Sequence, residues 1–287
     1  MKKFTAFVCV ILIFVASFTA CTTGLNPKNA DITTTDEHEG KTLVNGVNGQ
    51  VWVSEYEDVA TNPYKAELFV RNGKFITYEG DENYTAIPGI DVSEFQGDID
   101  WNAVANDGIQ FVIVRLGYRG WGEKGIIKTD SKFLENINGA RNAGLKVGVY
   151  FYSQAISVEE AVYEADYCVQ ELNAFVPDMP VFFDWEDSGN DDARTVGVTT
   201  DIINECSYAF CSRIEEYGLT AGVYFYEDLA YNTYNLSMLN KFCIWHAEPG
   251  DNPKLCYAIN MWQYSYEGSV DGIDANVDLN LWFISKG

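Results

Sequence analysis

Apolar and polar positions alternate along the chain in short blocks, and from Ile87 onward the apolar blocks recur at a spacing that suits strands. They are Pro88–Val92, Phe111–Leu116, Val147–Tyr152, Pro180–Trp185, Ala221–Tyr226, Phe242–His246, Ile259–Tyr264 and Asn276–Leu279. Most are rich in β-branched and aromatic residues, as buried strands require. The early gaps hold helical segments. One is Asp130–Ala143, closed by Gly144; another is Val158–Leu172, opened by Ser157 with Glu159 and Glu160 in its first turn; a third is Thr200–Tyr217, closed by Gly218. The gaps between the last strands hold about a dozen residues, too few for the helical crossover that parallel strands usually need. The pattern predicts an α/β fold over residues 87–287: an irregular TIM-like barrel whose last strands lack helices.

Upstream the pattern changes. Within Gly46–Thr85, Val51-Trp52-Val53 begins one strand, and Leu68–Arg71 and Lys74–Tyr78 flank Asn72-Gly73 as a hairpin with a two-residue turn. About 40 residues rarely fold alone. Residues 46–86 are therefore expected to be a small β extension packed on the barrel, with an independent module as the alternative. Residues 21–45, rich in Thr, Asn, Asp and Gly without apolar periodicity, read as a flexible tether.

Residues 1–20 place Lys2 and Lys3 before the uncharged run Phe4–Ala16 and end in small residues, the layout of a secretory signal. The run is short for a membrane span, which needs about 20 apolar residues. Phe18-Thr19-Ala20-Cys21 resembles the lipobox of bacterial lipoproteins, with Phe18 where Leu is usual, so Cys21 is expected to carry a lipid. Ordinary cleavage near Ala20 is the alternative. Either route takes the protein out of the cytoplasm, to the cell surface if anchored and secreted if not.

Composition narrows the partners. The 287 residues are 47% hydrophobic and 15% aromatic, ample for a full core. The formal charge is −23, and losing residues 1–20, with two lysines and no acid, leaves −25. That disfavours nucleic acid as a partner and requires any anionic polymer to be held by local contacts. Of seven cysteines, five remain if Cys9 is removed and Cys21 acylated. Cys243 and Cys256 would make the best bridge, across a short loop; CxxC spacing for a zinc site is absent. No metal or cofactor is expected.

In Pro180-Val-Phe-Phe-Asp-Trp-Glu-Asp187 an apolar approach leads into acids, as for a buried strand emerging at its carboxyl end. Alternation puts Asp184 and Glu186 on one face with Cα atoms roughly 6.6 Å apart. Two neighbouring carboxylates repel, so one stays protonated near neutral pH, the requirement for a general acid beside a charged partner at a glycosidic bond. Such a pair alone could be a solvated strand end. Asp91, in Gly89-Ile-Asp-Val-Ser-Glu-Phe-Gln-Gly97, and Asp278, in Gly272-Ile-Asp-Ala-Asn-Val-Asp-Leu-Asn280, add an acid from the first strand and one ending the last. Three strands then aim acids at the face where barrels place catalysis.

GIDVSEFQGDIDW, VGVYFY, PVFFDWE, MWQYS and DANVDLN, in this order, resemble glycoside hydrolase family 25, the Chalaropsis-type lysozymes, over roughly Ile87–Phe283. The resemblance implies a β-1,4-N-acetylmuramidase acting on peptidoglycan strands. It maps Glu186 to the general acid, Asp184 to its partner carboxylate, Asp91 and Asp278 to further active-site aspartates, and Tyr150 and Tyr224 to site tyrosines. Direct carboxylate attack and attack by the substrate's own N-acetyl group both remain open, with net retention expected. Tyr118, Tyr152 and Trp262 join the tyrosines as sugar-contact candidates, since flat rings stack on sugar faces. The sequence departs from the family in Trp245-His246-Ala247-Glu248-Pro249, which puts one sugar contact in doubt. Arg115 and His246 are read as structural, Arg115 paired with a buried acid. Rival readings are a wall-glycan binding lipoprotein without turnover and a hydrolase of another N-acetylated glycan.

Overall fold

In the computed structural model, which describes residues 38–46, 49–173 and 175–287, the recurring apolar blocks become the staves of a closed barrel. The signal at 1–20, Cys9, the lipidation candidate Cys21 and the tether as far as residue 37 lie outside the described residues. Two hairpins come first. Strands β1 (Lys41–Gly46) and β2 (Gly49–Ser54) pair antiparallel, as do β3 (Phe69–Asn72) and β4 (Phe75–Tyr78). The end of the expected tether is thus a strand: residues 41–45 belong to β1. The second turn also shifts by one residue, for Asn72 pairs with Phe75 and the tip is Gly73-Lys74, with Gly73 at φ +63° as a tight turn demands.

The barrel then begins with β5 (Tyr84–Val92), followed by the short helix α1 (Trp101–Asn106), β6 (Phe111–Arg119) and a three-residue strand β7 (Ile127–Thr129). Helix α2 (Phe133–Asn142) leads to β8 (Lys146–Ser153), α3 (Val158–Leu172) to β9 (Val181–Trp185), and α4 (Thr200–Glu216) to β10 (Ala221–Tyr226). Two short helices, α5 (Glu227–Asn232) and α6 (Leu236–Leu239), precede β11 (Cys243–Ala247); β12 (Met261–Gly268) and β13 (Val277–Ser285) follow with no helix between them. Ser157 and Thr199 cap α3 and α4 by accepting from Glu160 N and Ile202 N. Helix α2 begins only at Phe133, after Asp130, whose carboxylate accepts from Arg115 Nε (2.7 Å), Glu94 N (3.0 Å) and Lys132 N (2.9 Å).

Around the barrel β5, β6, β8, β9, β10, β11 and β12 run parallel. β13 fits antiparallel between β12 and β5 and closes the ring, while β7 adds to the outer edge of β6. The lower interior is filled by Phe111, Ile113, Phe182, Trp245 and Met261. Two glycines make room for the rings. A Cβ on Gly89 would stand 2.3 Å from Phe111, and one on Gly222 2.4 Å from Phe182. These glycines open the GID and GVYFY motifs for a packing reason.

Outside, α2, α3 and α4 cover the early strands. The bare outer faces of β12 and β13 are covered by the N-terminal extension. Tyr64 stacks on Phe283 at 3.7 Å between ring centroids, Phe69 meets Trp262 edge-on at 5.4 Å, and the fully buried Ile76 offers its N–H to Tyr264 Oη at 3.5 Å. Thr61 bridges Tyr257, and Asn62 N donates to Cys256 O (2.8 Å). Residues 40–287 accordingly cluster as one unit. The expected bridge does not form: Cys243 and Cys256 are both free thiols, Cys256 lying 3.5 Å from Tyr231 Oη.

If the hairpin substitutes for missing helices, truncating its inward face should weaken the whole unit. Ile76→Ala should lose about 2–5 kcal/mol of unfolding free energy, whereas Val70→Ala, on the exposed face, should stay within about 0.5 kcal/mol. Denaturant titration reads both, and equally small effects would refute the packing role.

Candidate active site

Strand alternation and register bring the predicted acids together at the carboxyl ends of the parallel strands. On β9, Asp184 points inward with Tyr152 of β8 and Tyr224 of β10 in register on either side, and Trp245 of β11 is in register with Tyr224. Glu186 follows directly after β9 and is less buried than Asp184. Asp91 lies near the end of β5. Asp278 stands at the start of β13, not at a strand end as expected. Because β13 runs antiparallel, its start lies at the same rim, and Asp278 is in register with Asp91. Asp91, Asp184, Glu186 and Asp278 line a pocket of about 90 Å³ together with Tyr150 and Tyr224.

The acids form two hydrogen-bonded pairs, Asp184 with Glu186 and Asp91 with Asp278. Burial raises the carboxyls of all four; the neighbouring charges of Glu186 and Asp91 raise Asp184 further, and Asp91 helps push Asp278 up to about 9. Each pair therefore holds a proton near neutral pH.

Asp91 is the best-anchored member. Its Oδ2 accepts from Gln263 Nε2 (2.8 Å) and Asn280 Nδ2 (2.7 Å). These amides cannot turn round, since Gln263 Oε1 accepts from Tyr224 Oη (3.1 Å) and Asn280 Oδ1 accepts from Trp245 Nε1 (2.9 Å). Both hydrogen bonds pull Asp91 back toward the charged form against desolvation. Asp184 differs: its Oδ1 is buried without a protein partner. Burial also lifts the tyrosine hydroxyls, Tyr150 and Tyr224 well above their usual range, so they remain donors. Gln154 Nε2 donates to the Glu186 carbonyl oxygen (2.7 Å) and fixes the chain where it leaves β9.

Tyr150, Tyr152 and Tyr224 border the acids, while Tyr118 lies in an adjoining cleft with Tyr152. Trp262 is a correction. It is fully buried, packs against Phe69 and Tyr264, and donates its Nε1–H to Glu248 O (2.8 Å). Alternation explains this: on β12 it is Gln263 that faces the barrel interior, so Trp262 and Tyr264 face the hairpin. Gln263, Asn280, Trp245 and Gln154 were missed; the first two sit in MWQYS and DANVDLN, but their partners depend on register. Arg115 pairs with the buried Asp130 as expected, and His246 is buried with Nε2 3.3 Å from Glu248 Oε2. Among the described residues no group of three or more His, Cys, Asp or Glu could hold a metal ion, and no helix is long and apolar enough to cross a membrane.

The family profile for glycosyl hydrolases family 25 matches residues 90–273, nearly the whole barrel. The chain belongs to this family. It is 30% identical over 193 residues to the autolytic lysozyme of Clostridium acetobutylicum, covering 67% of this chain and 54% of that protein, so it spans about half that relative's length. It is 27% identical over 212 residues to lysozyme M1 of Streptomyces globisporus, 70% of this chain and 69% of that one. In fold it is similar to the modular autolysin LytC of Streptococcus pneumoniae, solved in complex with a synthetic peptidoglycan ligand, with a TM-score of 0.61 and 23% identity over 85% of this chain and 57% of that one. The family match ends before Asp278, which the barrel closure alone brings to the site.

The shared protons have a consequence for stability. Asp278 ordinarily titrates at 3.8 but near 9 when folded, so between those values the folded chain holds a proton that the unfolded chain has released. This contribution to stability is complete below about pH 4 and is lost as pH rises toward about 9, at a slope approaching about 1.4 kcal/mol per pH unit. Asp278→Asn should flatten the decline and raise the melting temperature at pH 8 relative to wild type. Unfolding curves from pH 4 to 9 that keep the wild-type slope would contradict the shared proton.

Proposed function

We propose that the protein is a lysozyme, a β-1,4-N-acetylmuramidase that hydrolyses the bond between N-acetylmuramic acid and N-acetylglucosamine in peptidoglycan. The observation that carries this reading is the hydrogen-bonded pair Asp184 and Glu186 at the barrel's catalytic rim. Membership of the family and the lysozymes among its relatives support the same substrate class.

In the proposed mechanism the proton that Asp184 and Glu186 share passes to the glycosidic oxygen through Glu186, the more exposed of the pair. Asp184 is the charged partner that remains, and its buried Oδ1 is free to meet the substrate. A general acid needs a proton at the working pH, and the raised carboxyls of this pair supply one. Asp91, fixed by Gln263 and Asn280, and the protonated Asp278 orient the sugar at the reacting carbon; Tyr150 and Tyr224 donate to it, and Tyr152 and Tyr118 line its path. Net retention at the cleaved carbon is part of the reading. The residues act without metal or cofactor.

Reducing-sugar release from purified peptidoglycan tests the assignment. Glu186→Gln should lower the rate by at least about 100-fold, the low end for a positioned general acid, and equal rates in variant and wild type would sink the mechanism.

The same proposal places the enzyme outside the cytoplasm, held to the membrane by a lipid on Cys21, with residues 1–20 as its signal. Cys21→Ser should move the protein from the membrane fraction to the medium or soluble envelope fraction. Unchanged membrane retention would rule the anchor out.

A further inference from the structure

Glu186 stands one residue beyond the last pairing of β9 with β8, Trp185 with Ser153, so the ladder ends before the residue that delivers the proton in the proposed mechanism. Its place must be set from elsewhere. Gln154, fully buried just after β8, donates from Nε2 to Ser153 O (3.0 Å) and to Glu186 O (2.7 Å). The amide has one orientation, because a flip would turn Oε1 against two carbonyl oxygens; as it stands, Oε1 accepts from Thr195 Oγ1 (3.4 Å).

Gln154 is gripped in turn by Arg194, from the loop that follows Glu186. Arg194 Nη1 donates to Gln154 O (3.0 Å) and to Glu160 Oε2 (2.8 Å), and Nη2 donates to Glu160 Oε1 (2.6 Å), a fork that needs a planar guanidinium. The Arg194 backbone is tied as well, its N–H donating to Trp121 O (2.9 Å). Gly125 leaves the room: a Cβ there would stand 2.5 Å from the guanidinium. Glu160, in the first turn of α3, also accepts from Ile156 N (3.0 Å), and against desolvation the Arg194 hydrogen bonds hold it below its ordinary carboxyl range. Arg119 backs the clamp, pairing with Glu164 while it donates to Gly125 O (3.0 Å) and Glu160 O (3.3 Å).

Stability alone is a poor reason for this arrangement. The Arg194 side chain is 7% exposed, and its Nε is buried without a protein partner. Desolvation offsets the attraction of a buried ion pair, so apolar side chains of similar volume often stabilise as much. They could not, however, hold the Gln154 carbonyl in place. We propose that Arg194 is a positioning residue for Glu186: with Glu160 it clamps Gln154, and Gln154 holds the Glu186 backbone where the carboxyl meets Asp184. The proposal rests on the acid role of Glu186 and extends it to three residues, none of which lines the acid pocket.

The test follows from what a general acid does. A sugar leaving group must be protonated as it departs, whereas para-nitrophenol leaves as its anion and needs no proton. The measurement is kcat/KM for two substrates with the same cleaved residue. One is a soluble tetrasaccharide of alternating N-acetylglucosamine and N-acetylmuramic acid; the other is the para-nitrophenyl glycoside of the disaccharide that ends in N-acetylmuramic acid. Glu186→Gln sets the reference, a large loss on the tetrasaccharide and little on the aryl glycoside. Arg194→Lys keeps the charge and loses the fork. It should fall about 10–100-fold on the tetrasaccharide, the cost of a misplaced catalytic group, and stay within about threefold of wild type on the aryl glycoside. Gln154→Met, similar in size but without the donor, should show the same contrast and decides the matter if the Lys variant does not fold. The double variant should lose no more than the worse single one, since both act through one contact. Arg213→Lys, which alters a partly exposed pair with Asp166, should change neither rate. Equal losses on both substrates, an unchanged tetrasaccharide rate, or losses that multiply in the double variant would overturn the clamp and leave the acid assignment standing. A Glu186→Gln protein without the leaving-group contrast would overturn both.

Discussion

The barrel closes through one antiparallel strand, and the candidate site depends on that closure. β13 enters between β12 and β5 against the direction of every other stave, which carries its first residues, not its last, to the rim of the candidate site. Asp278 thereby comes into register with Asp91. Asn280, two residues on and on the same face, reaches Asp91 with its amide. A parallel last strand would bring its other end, with Phe283 and Ile284, to the rim. A shift of one residue would turn Asp278 and Asn280 to the outside, because the side-chain period is two.

Four carboxyls at one rim make this end of the barrel expensive, since burying charge without compensation costs several kcal/mol per group. The chain limits the cost in two ways. Shared protons keep charge out of the pocket, and two amides with fixed orientation hold Asp91. Asp184 is left under-satisfied. The contrast divides the pocket into an anchored half, Asp91 with its amides, and a half with an unmet acceptor, Asp184 Oδ1.

The late strands give up helical cover, and something apolar must replace it. The extension does so through Tyr64, Phe69, Ile76 and Tyr78, which pack on Trp262, Tyr264 and Phe283. The family match begins at residue 90, so this cover lies outside it, although it completes the core of the same unit. Trp262, which could have been a sugar contact, is committed to that interface.

By itself the sequence determined the eight staves of the barrel, the three main helices with the Ser157 cap of α3, the missing late helices, and the acids that meet at the rim. These follow from local physics: alternation, the 3.6-residue period, capping and the approach of apolar runs to acids leave marks within a few residues. The pairing of Asp91 with Asp278, the amides that hold Asp91, and the burial of Trp262 had no such mark. Nor did the free thiols of Cys243 and Cys256. Tertiary structure decided these, because strand direction and register set which side chains meet across more than a hundred residues, and sequence spacing does not encode either.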